Sequence, residues 1–421
     1  MDPSRSVPRS HAPAEYAVEH EADYGDMDYG DGGYGIPREV GCCDIVSSCG
    51  DSCCDVGCGD ACGCGDVCGC GGPCACYWVE LDALIWWTRG MEVPPLATTG
   101  TTNGRGVLGA AGTQVLFGGG PLLDDSLFGG RFRVGSWLNT CQTAGFEVTY
   151  LRLEEGGDGF SASNADYAVL SRPIFNTSTS AQDALNIALP GLTSGSLQID
   201  AESQFDALDA TLLLNIAQHR GGRCDFVVGY RRLELSDSLV ASQSTLSLAG
   251  PTAGTAFDAI DRFSTRNTFN GGLFGLRFKN QLNPCWSLES SVGVALGGVQ
   301  RRANVSGSTA VTSTGNVVTT TPGGLLAQPT NIGDYSENDF SASYEVGMKL
   351  KRRLSERCAL TVGYTYLAWS DVYRVGDQIN TNVNPTQLGG GTLVGSATPS
   401  FPGDSSAYWA QGINLGFEAN F

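Results

Sequence analysis

The feature that most constrains this 421-residue chain is a period of two. In the last segment Trp409, Gln411, Ile413, Leu415, Phe417, Ala419 and Phe421 alternate with Ala410, Gly412, Asn414, Gly416, Glu418 and Asn420. Trp286, Leu288, Ser290, Val292, Val294 and Leu296 repeat the pattern, as do Phe340, Ala342, Tyr344, Val346, Met348 and Leu350. A strand reads this way when one face is apolar and the other polar. Ten such segments are expected, at 77–88, 128–139, 142–154, 202–218, 224–236, 266–281, 285–301, 336–354, 358–372 and 406–421. Four connections are short, at 139–142, 219–223, 281–284 and 354–357. Five are long, at 89–127, 155–201, 237–265, 302–335 and 373–405, and rich in Gly, Ser, Thr, Asn and Pro. Loops of that length are uncommon inside compact soluble domains.

Short turns at one end, long loops at the other and an even strand number describe an outer-membrane barrel. In lipid every backbone donor and acceptor needs a partner within the protein, and among strand structures only a closed sheet provides it. No run of eighteen apolar residues offers a transmembrane helix. The expected fold is all-β: a transmembrane antiparallel up-and-down barrel of ten to twelve strands, the larger number needing extra strands around Val107-Leu108 or from Thr113 to Phe117. A soluble β-sandwich is the competing architecture, since it alternates too. Trp78, Trp86, Trp87, Trp137, Tyr150, Trp286, Tyr344, Tyr366, Trp369, Tyr408 and Trp409 fall near strand ends, where an interfacial girdle is expected. Phe421 ends the chain inside a strand, in phase with the apolar face, and resembles the recognition signal of outer-membrane barrel assembly. The expected partners are therefore the bilayer and that assembly machinery.

Composition separates a leader from this body. Residues 1–76 hold three basic and fourteen acidic residues and twelve of the sixteen cysteines. The whole chain carries −19, which excludes a nucleic-acid partner on charge grounds. Residues 1–41, with recurring Asp-Tyr-Gly, cannot bury enough surface to offset ordering entropy and are expected to be disordered. They show no basic start followed by an apolar run, so the expectation is a misplaced start or an export signal upstream of Met1. Residues 42–76 carry Cys42, Cys43, Cys49, Cys53, Cys54, Cys58, Cys62, Cys64, Cys68, Cys70, Cys74 and Cys76. Cys58 with Cys62, and Cys64 with Cys68, fall within zinc-ligand spacing. The competing reading is a flexible tether cross-linked by disulfides in an oxidising compartment. The domain expectation is thus 1–41, 42–76 and a barrel at 77–421.

The other four cysteines, Cys141, Cys224, Cys285 and Cys358, each sit at or just after a short turn, and Leu138-Asn139-Thr140-Cys141 recurs as Leu282-Asn283-Pro284-Cys285. Neighbouring turns lie two strands apart, about 9–10 Å, while a disulfide needs Cα atoms within roughly 7 Å. Direct bridges need turns that lean together. Bridges to the leader, or small buried thiols, are the alternatives.

The segment Trp78-Val79-Glu80-Leu81-Asp82, followed by Trp86-Trp87-Thr88-Arg89-Gly90-Met91-Glu92-Val93-Pro94-Pro95-Leu96-Ala97-Thr98-Thr99, resembles the opening of the putative beta-barrel porin family seven of planctomycete outer membranes. Phe117-Gly118-Gly119-Gly120-Pro121-Leu122, the run Gly130 to Leu138, and the run Phe269 to Leu276 are similar to later blocks. The resemblance covers about 77–421 and implies an outer-membrane barrel, with no catalytic residues to carry over.

By the alternation, Glu80, Asp82, Arg131, Arg133, Glu147, Asp209, Arg231, Arg277, Glu289, Glu345, Lys349 and Glu418 face the lumen. A ten-stranded barrel is little wider than the eight-stranded case, whose interior side chains just fill it. These residues therefore form either a structural ion-pair network or the lining of a narrow channel gated by loops. The favoured function is porin-like passage of small solutes; the alternative is a closed structural barrel whose loops bind envelope components. No cofactor is expected. An enzyme is disfavoured, because His11 and His20 lie in the leader, His219 in a short turn, and no Gly-x-Ser-x-Gly elbow occurs.

Overall fold

The computed structural model describes residues 77–139, 142–219 and 221–421. The leader, with its expected disorder and its cysteines, and Cys141 lie outside the described residues. Ten strands close a ring: β1 (Tyr77–Thr88), β2 (Ser126–Trp137), β3 (Ala144–Leu153), β4 (Thr193–His219), β5 (Gly222–Ser247), β6 (Ala256–Asn283), β7 (Trp286–Thr312), β8 (Gly333–Arg353), β9 (Cys358–Val372) and β10 (Ser406–Asn420). Each pairs antiparallel with its neighbours in sequence, and β10 returns to β1 from Trp78↔Asn420 to Thr88↔Ala410. Among the described residues no helix is long and apolar enough to cross a membrane. The strands form the wall.

Register is fixed by charge as well as by apolar patterning. Glu80 lies opposite Arg133 and Asp82 opposite Arg131 across β1–β2. Asp209 faces Arg231 across β4–β5, and Glu289 faces Lys349 across β7–β8. A slip of one residue would turn all of these toward lipid.

Strands β4 to β7 are 26 to 28 residues long, whereas about 9–11 tilted residues cross a bilayer. The expected long loop 237–265 is consequently corrected to two strand arms joined at 248–255. These arms were missed because the apolar face changes sides. Near the turns β4 shows Leu208, Leu212, Leu214 and Ile216 outward, but farther along it buries Leu197, Ile199, Ala201 and Phe205 inward. Outward neighbours there are Glu202, Gln204 and Asp206. Lipid surrounds the first stretch and water the second, so the same period of two carries opposite polarity.

The remaining loop segments are paired rather than lying loose: Gly156–Ser163 extends the wall against the outer arm of β4 at Ser196–Ser203, and others fold inward. Val318–Pro322 pairs with β7 just beyond the part paired with β8, and residues 323–332 between them dip inside. Leu170–Asn176 pairs with Ala181–Ala188 and touches Ala97–Thr99, which pairs with Gln114–Phe117. Gly120–Leu122 pairs with Met91–Val93. The strand expected between Thr113 and Phe117 therefore joins this inner sheet, not the wall, and Val107-Leu108 lies in a turn region. Ten strands, not twelve, close the ring. The inner sheet contributes Leu170, Ile174, Ile187 and Val383 to a core shared with Leu197, Ile199, Leu239, Phe263 and Val305 of the wall. It plugs the loop end.

Candidate functional site: the filled lumen

From the turn end upward, the interior is layered. The first layer holds Trp78, Leu213 and Val227, with Trp137 packed against Trp78 at 5.0 Å between ring centroids. Trp78 lies over Gly135, where a Cβ would come within 2.1 Å of the indole; only glycine leaves that space. Arg223 stacks on Trp137 at 4.4 Å and pairs with Asp225 at 2.6 Å.

The second layer is ionic, and the twelve expected residues fall there in four groups of ion pairs on the inner face. Arg131 pairs with Asp82 at 2.7 Å, and Arg133 with Glu80 at 2.8 Å and Glu147 at 3.4 Å. Arg277 holds Glu147 at 2.7 Å. Lys349 bridges Glu80 at 2.8 Å and Glu289 at 3.4 Å. Arg231 joins Asp209 at 2.6 Å to Glu345 at 2.5 Å. Glu418, which faces Glu80 across β10–β1, is satisfied by Lys351. Buried pairs of this kind add little net stability, but removing one partner strands a charge and costs about 3–5 kcal/mol. The cavities left among them are about 90 Å³, beside Arg131, Asp209 and Arg231, and about 60 Å³, beside Glu80 and Lys349.

The third layer is apolar: Leu84, Trp86, Leu153, Phe205, Phe269, Trp369 and Tyr408 all bury inward. Trp86 donates its indole N–H to Asn414 Oδ1 at 2.8 Å, and Trp369 donates to Ser341 at 3.1 Å. Trp78, Trp86, Trp137, Trp369 and Tyr408 are therefore corrections to the expected girdle; each shares the parity of inward residues on its strand, and the interior needs large rings to fill the ring's width. Trp87, Tyr150, Tyr344 and Tyr366 do face outward and exposed, joined by Tyr230.

The fourth layer is the plug, held to the wall by two buried ion pairs. Asp261 of β6 accepts backbone N–H bonds from Leu325, Leu326 and Ala327 at 2.8 to 3.0 Å and pairs with Arg172 at 2.7 Å. Gly324 passes so close that a Cβ would meet Asp261 at 2.2 Å. Arg374, following β9, pairs with Asp237 of β5 at 2.5 Å and donates to the Arg89 carbonyl at 3.0 Å. Asn267 and Tyr373 exchange two hydrogen bonds of 2.7 and 2.8 Å. The Tyr373 hydroxyl donates to Glu337 at 2.6 Å; burial, and then that bond, push the phenol up to about 12.

Sequence reading missed Lys351, Arg223 and Asp225, although each has the parity of an inward neighbour: Lys351 with Lys349, Arg223 and Asp225 with Arg231. Asp237 and Asp261 share the inward parity of Arg231 on β5 and Arg277 on β6, but lie in the stretch expected as the loop 237–265. Arg172 and Arg374, on the inserted segments, gave no such signal, and only the folded chain joins them to the wall. His219 ends β4 at the turn end, away from the plug.

A closed ring of strands, an outward apolar belt and an inward ionic layer define an integral β-barrel of the outer membrane. Residues 78–421 match the family described as Putative beta barrel porin-7, and the chain belongs to it. No curated protein matches the chain. Among solved structures it is similar to the outer membrane protease OmpT from Escherichia coli, at 9% identity and a TM-score of 0.40, covering 82% of this chain and 97% of that one. It is also similar to the toluene transporter TodX of P. putida, at 9% identity and a TM-score of 0.19, covering 82% and 90%. A Pseudomonas aeruginosa FadL homologue stands at 11% identity and a TM-score of 0.22, with the same coverage.

Proposed function

We propose that this outer-membrane protein is a closed, non-enzymatic barrel that serves the envelope as a structural and surface-interaction element. The observation that carries this reading is the filled interior: apolar, ionic, apolar and plug layers follow one another among the described residues, and the cavities found between the charged side chains are small. The polar arms of β4 to β7 stand above the apolar belt and bear an open groove of about 740 Å³ lined by Glu202, Ser238, Arg266, Arg302, Asn304 and Asp334. That groove is where a neighbouring envelope component would bind.

Porin-like diffusion of small solutes is the second reading, favoured by the ring of acidic and basic side chains across the lumen. It requires the plug and the apolar layer to part, after which the twelve charged residues would line the path. Permeation of small neutral sugars into liposomes carrying the full barrel separates the two. The closed reading expects uptake no faster than in empty liposomes. Uptake that scales with protein would overturn it and put diffusion first.

A further inference from the structure

The outward face of the wall sorts its charges by kind and by height. The lysines, Lys279, Lys349 and Lys351, all share the inward parity, so every outward cation of the wall strands is an arginine. Apart from Arg352 at the turn end, these stand loopward of the apolar belt: Arg152, Arg232, Arg262, Arg266 and Arg302. Arg232 on β5, Arg266 on β6 and Arg302 on β7 gather on neighbouring strands, and the last two are direct cross-strand partners. Like charges placed opposite each other destabilise a sheet when nothing neutralises them.

The chain neutralises this group only in part. Arg232, at 2.9 Å, and Arg266 share one carboxylate, Glu234. Arg302 is exposed and, among the described residues, takes part in no ion pair or hydrogen bond of its side chain. The nearby acids are engaged or displaced. Asp206 holds Arg152 at 3.8 Å and accepts from Tyr150 at 2.8 Å. Asp334, diagonal to Arg302, accepts from Asn304 at 2.7 Å, while Glu155 and Glu202 lie toward β3 and β4. Three cations against one carboxylate leave this corner of the open groove positive, on a chain whose net charge is −19.

Height and lining narrow the class of anion that fits. On β7 the outward side chains run Leu296, Gly298, Gln300 and Arg302, and Leu296 is the last exposed apolar one. At about 3.3 Å per residue and a strand tilt near 45°, Arg302 stands roughly 14 Å beyond Leu296 along the membrane normal. A phospholipid headgroup layer is only about 5–8 Å deep. A phosphate that meets Arg302 is therefore carried on a taller headgroup. Ser236, Ser238, Ser264, Ser336 and Asn304 line the groove beside the arginines with hydroxyl and amide groups, which hydrogen-bond sugar hydroxyls. Below them Gly272 and Gly298 leave the wall bare next to the exposed Phe274, Leu296 and Phe340, a bed for an acyl chain.

We propose that Arg266 and Arg302, with Arg232 beside them, bind the phosphate of a phosphorylated glycolipid of the outer leaflet. Its sugar lies in the groove and its acyl chains run down the belt. Guanidinium groups suit the role because each presents a planar fork of donors to phosphate oxygens. The proposal rests on the reading of this groove as the binding surface and names its occupant; it is independent of whether the lumen conducts.

Native mass spectrometry of the full chain, folded in detergent, tests it by titration with diphosphorylated lipid A. Arg266→Gln combined with Arg302→Gln is expected to weaken binding about thirtyfold, while Arg352→Gln at the turn end leaves it unchanged. Dephosphorylated lipid A and phosphatidylglycerol are each expected to bind at least about tenfold more weakly than the diphosphorylated form. Should the double variant fail to fold, Arg302→Gln alone breaks no pairing and is expected to weaken binding about fivefold. Equal binding by the original chain and the folded variant would overturn the site. Equal binding of phosphatidylglycerol would overturn the glycolipid in favour of any anionic lipid, and displacement by millimolar inorganic phosphate would overturn it in favour of a free anion. A barrel that binds none of these lipids yet keeps sugars out of liposomes would overturn this inference and leave the closed-barrel reading standing. One that binds diphosphorylated lipid A through Arg302 yet admits sugars would do the reverse.

Discussion

The ionic layer and the plug both bury charge inside the ring, but they use it differently. In the ionic layer every partner is on a wall strand, and several pairs are direct cross-strand neighbours, such as Asp82 with Arg131 and Glu289 with Lys349. In the plug each pair ties an inserted segment to the wall: Arg172 to Asp261, Arg374 to Asp237. The first arrangement cannot change without breaking the sheet. The second can be released while the ten strands stay paired. Closure is thus built from a fixed part and a removable part.

The largest effect that would break this distinction lies in the wall. Lys349→Met leaves Glu80 and Glu289 without their shared cation, and is expected to cost about 3–5 kcal/mol of barrel stability, read as a lower unfolding temperature of the detergent-folded protein. A variant as stable as the original would mean that the layer is wet and conducting rather than sealed. The change of polarity along β4 is sharpened next. Leu212→Arg, in the apolar belt, is expected to cost about 2–4 kcal/mol, while Ser238→Arg on the outer arm of β5 stays within about 0.5 kcal/mol. Equal costs in a bilayer refolding assay would show that the arms are not outside lipid.

Asp261→Ala comes third, and its effect is local. It removes the acceptor for three buried N–H groups and the partner of Arg172. Hydrogen exchange at 323–332 and 170–176 is expected to rise about a hundredfold, the equivalent of roughly 2.7 kcal/mol, with little change at β1, β2 and β10. Exchange rising throughout the barrel would make the plug part of the wall's cooperative unit. The smallest effect is at Tyr373. Its folded-state pKa of about 12 exceeds the usual value near 10 for a free tyrosine. The neutral phenol is therefore favoured in the fold; its contribution is fully present below about pH 10 and is lost as pH rises through 12. An ultraviolet titration should show a late tyrosine phase that Tyr373→Phe removes, and a titration without that difference would place the hydroxyl in water.

Much of the wall was legible in the sequence, and for a physical reason. Wherever lipid lies outside, alternation puts Leu, Val and Phe on one face and charge on the other, so Glu80, Arg131 and Lys349 could be assigned inward by parity alone. The same parity applied to Trp86 and Trp369 points inward too, against the expectation that an aromatic near a strand end belongs to the girdle. The outer arms were hidden because Ser238 and Ser264 read as loop text, although the Leu239 and Phe263 beside them keep the period. The plug was not legible at all. Asp261 and Arg172 are 89 residues apart, and no spacing rule joins a strand carboxylate to an arginine on an inserted segment.

The central claim is that the lumen is shut by packing, with the plug as the removable part. Single-channel recording in planar bilayers tests it most directly, comparing the folded protein with Asp261→Ala. The account expects no ohmic steps from the original chain, and intermittent steps from the variant whose ion selectivity shifts when Arg131 and Arg133 are also replaced by Gln. Reproducible steps of fixed size from the original chain would contradict it and make the barrel an open pore.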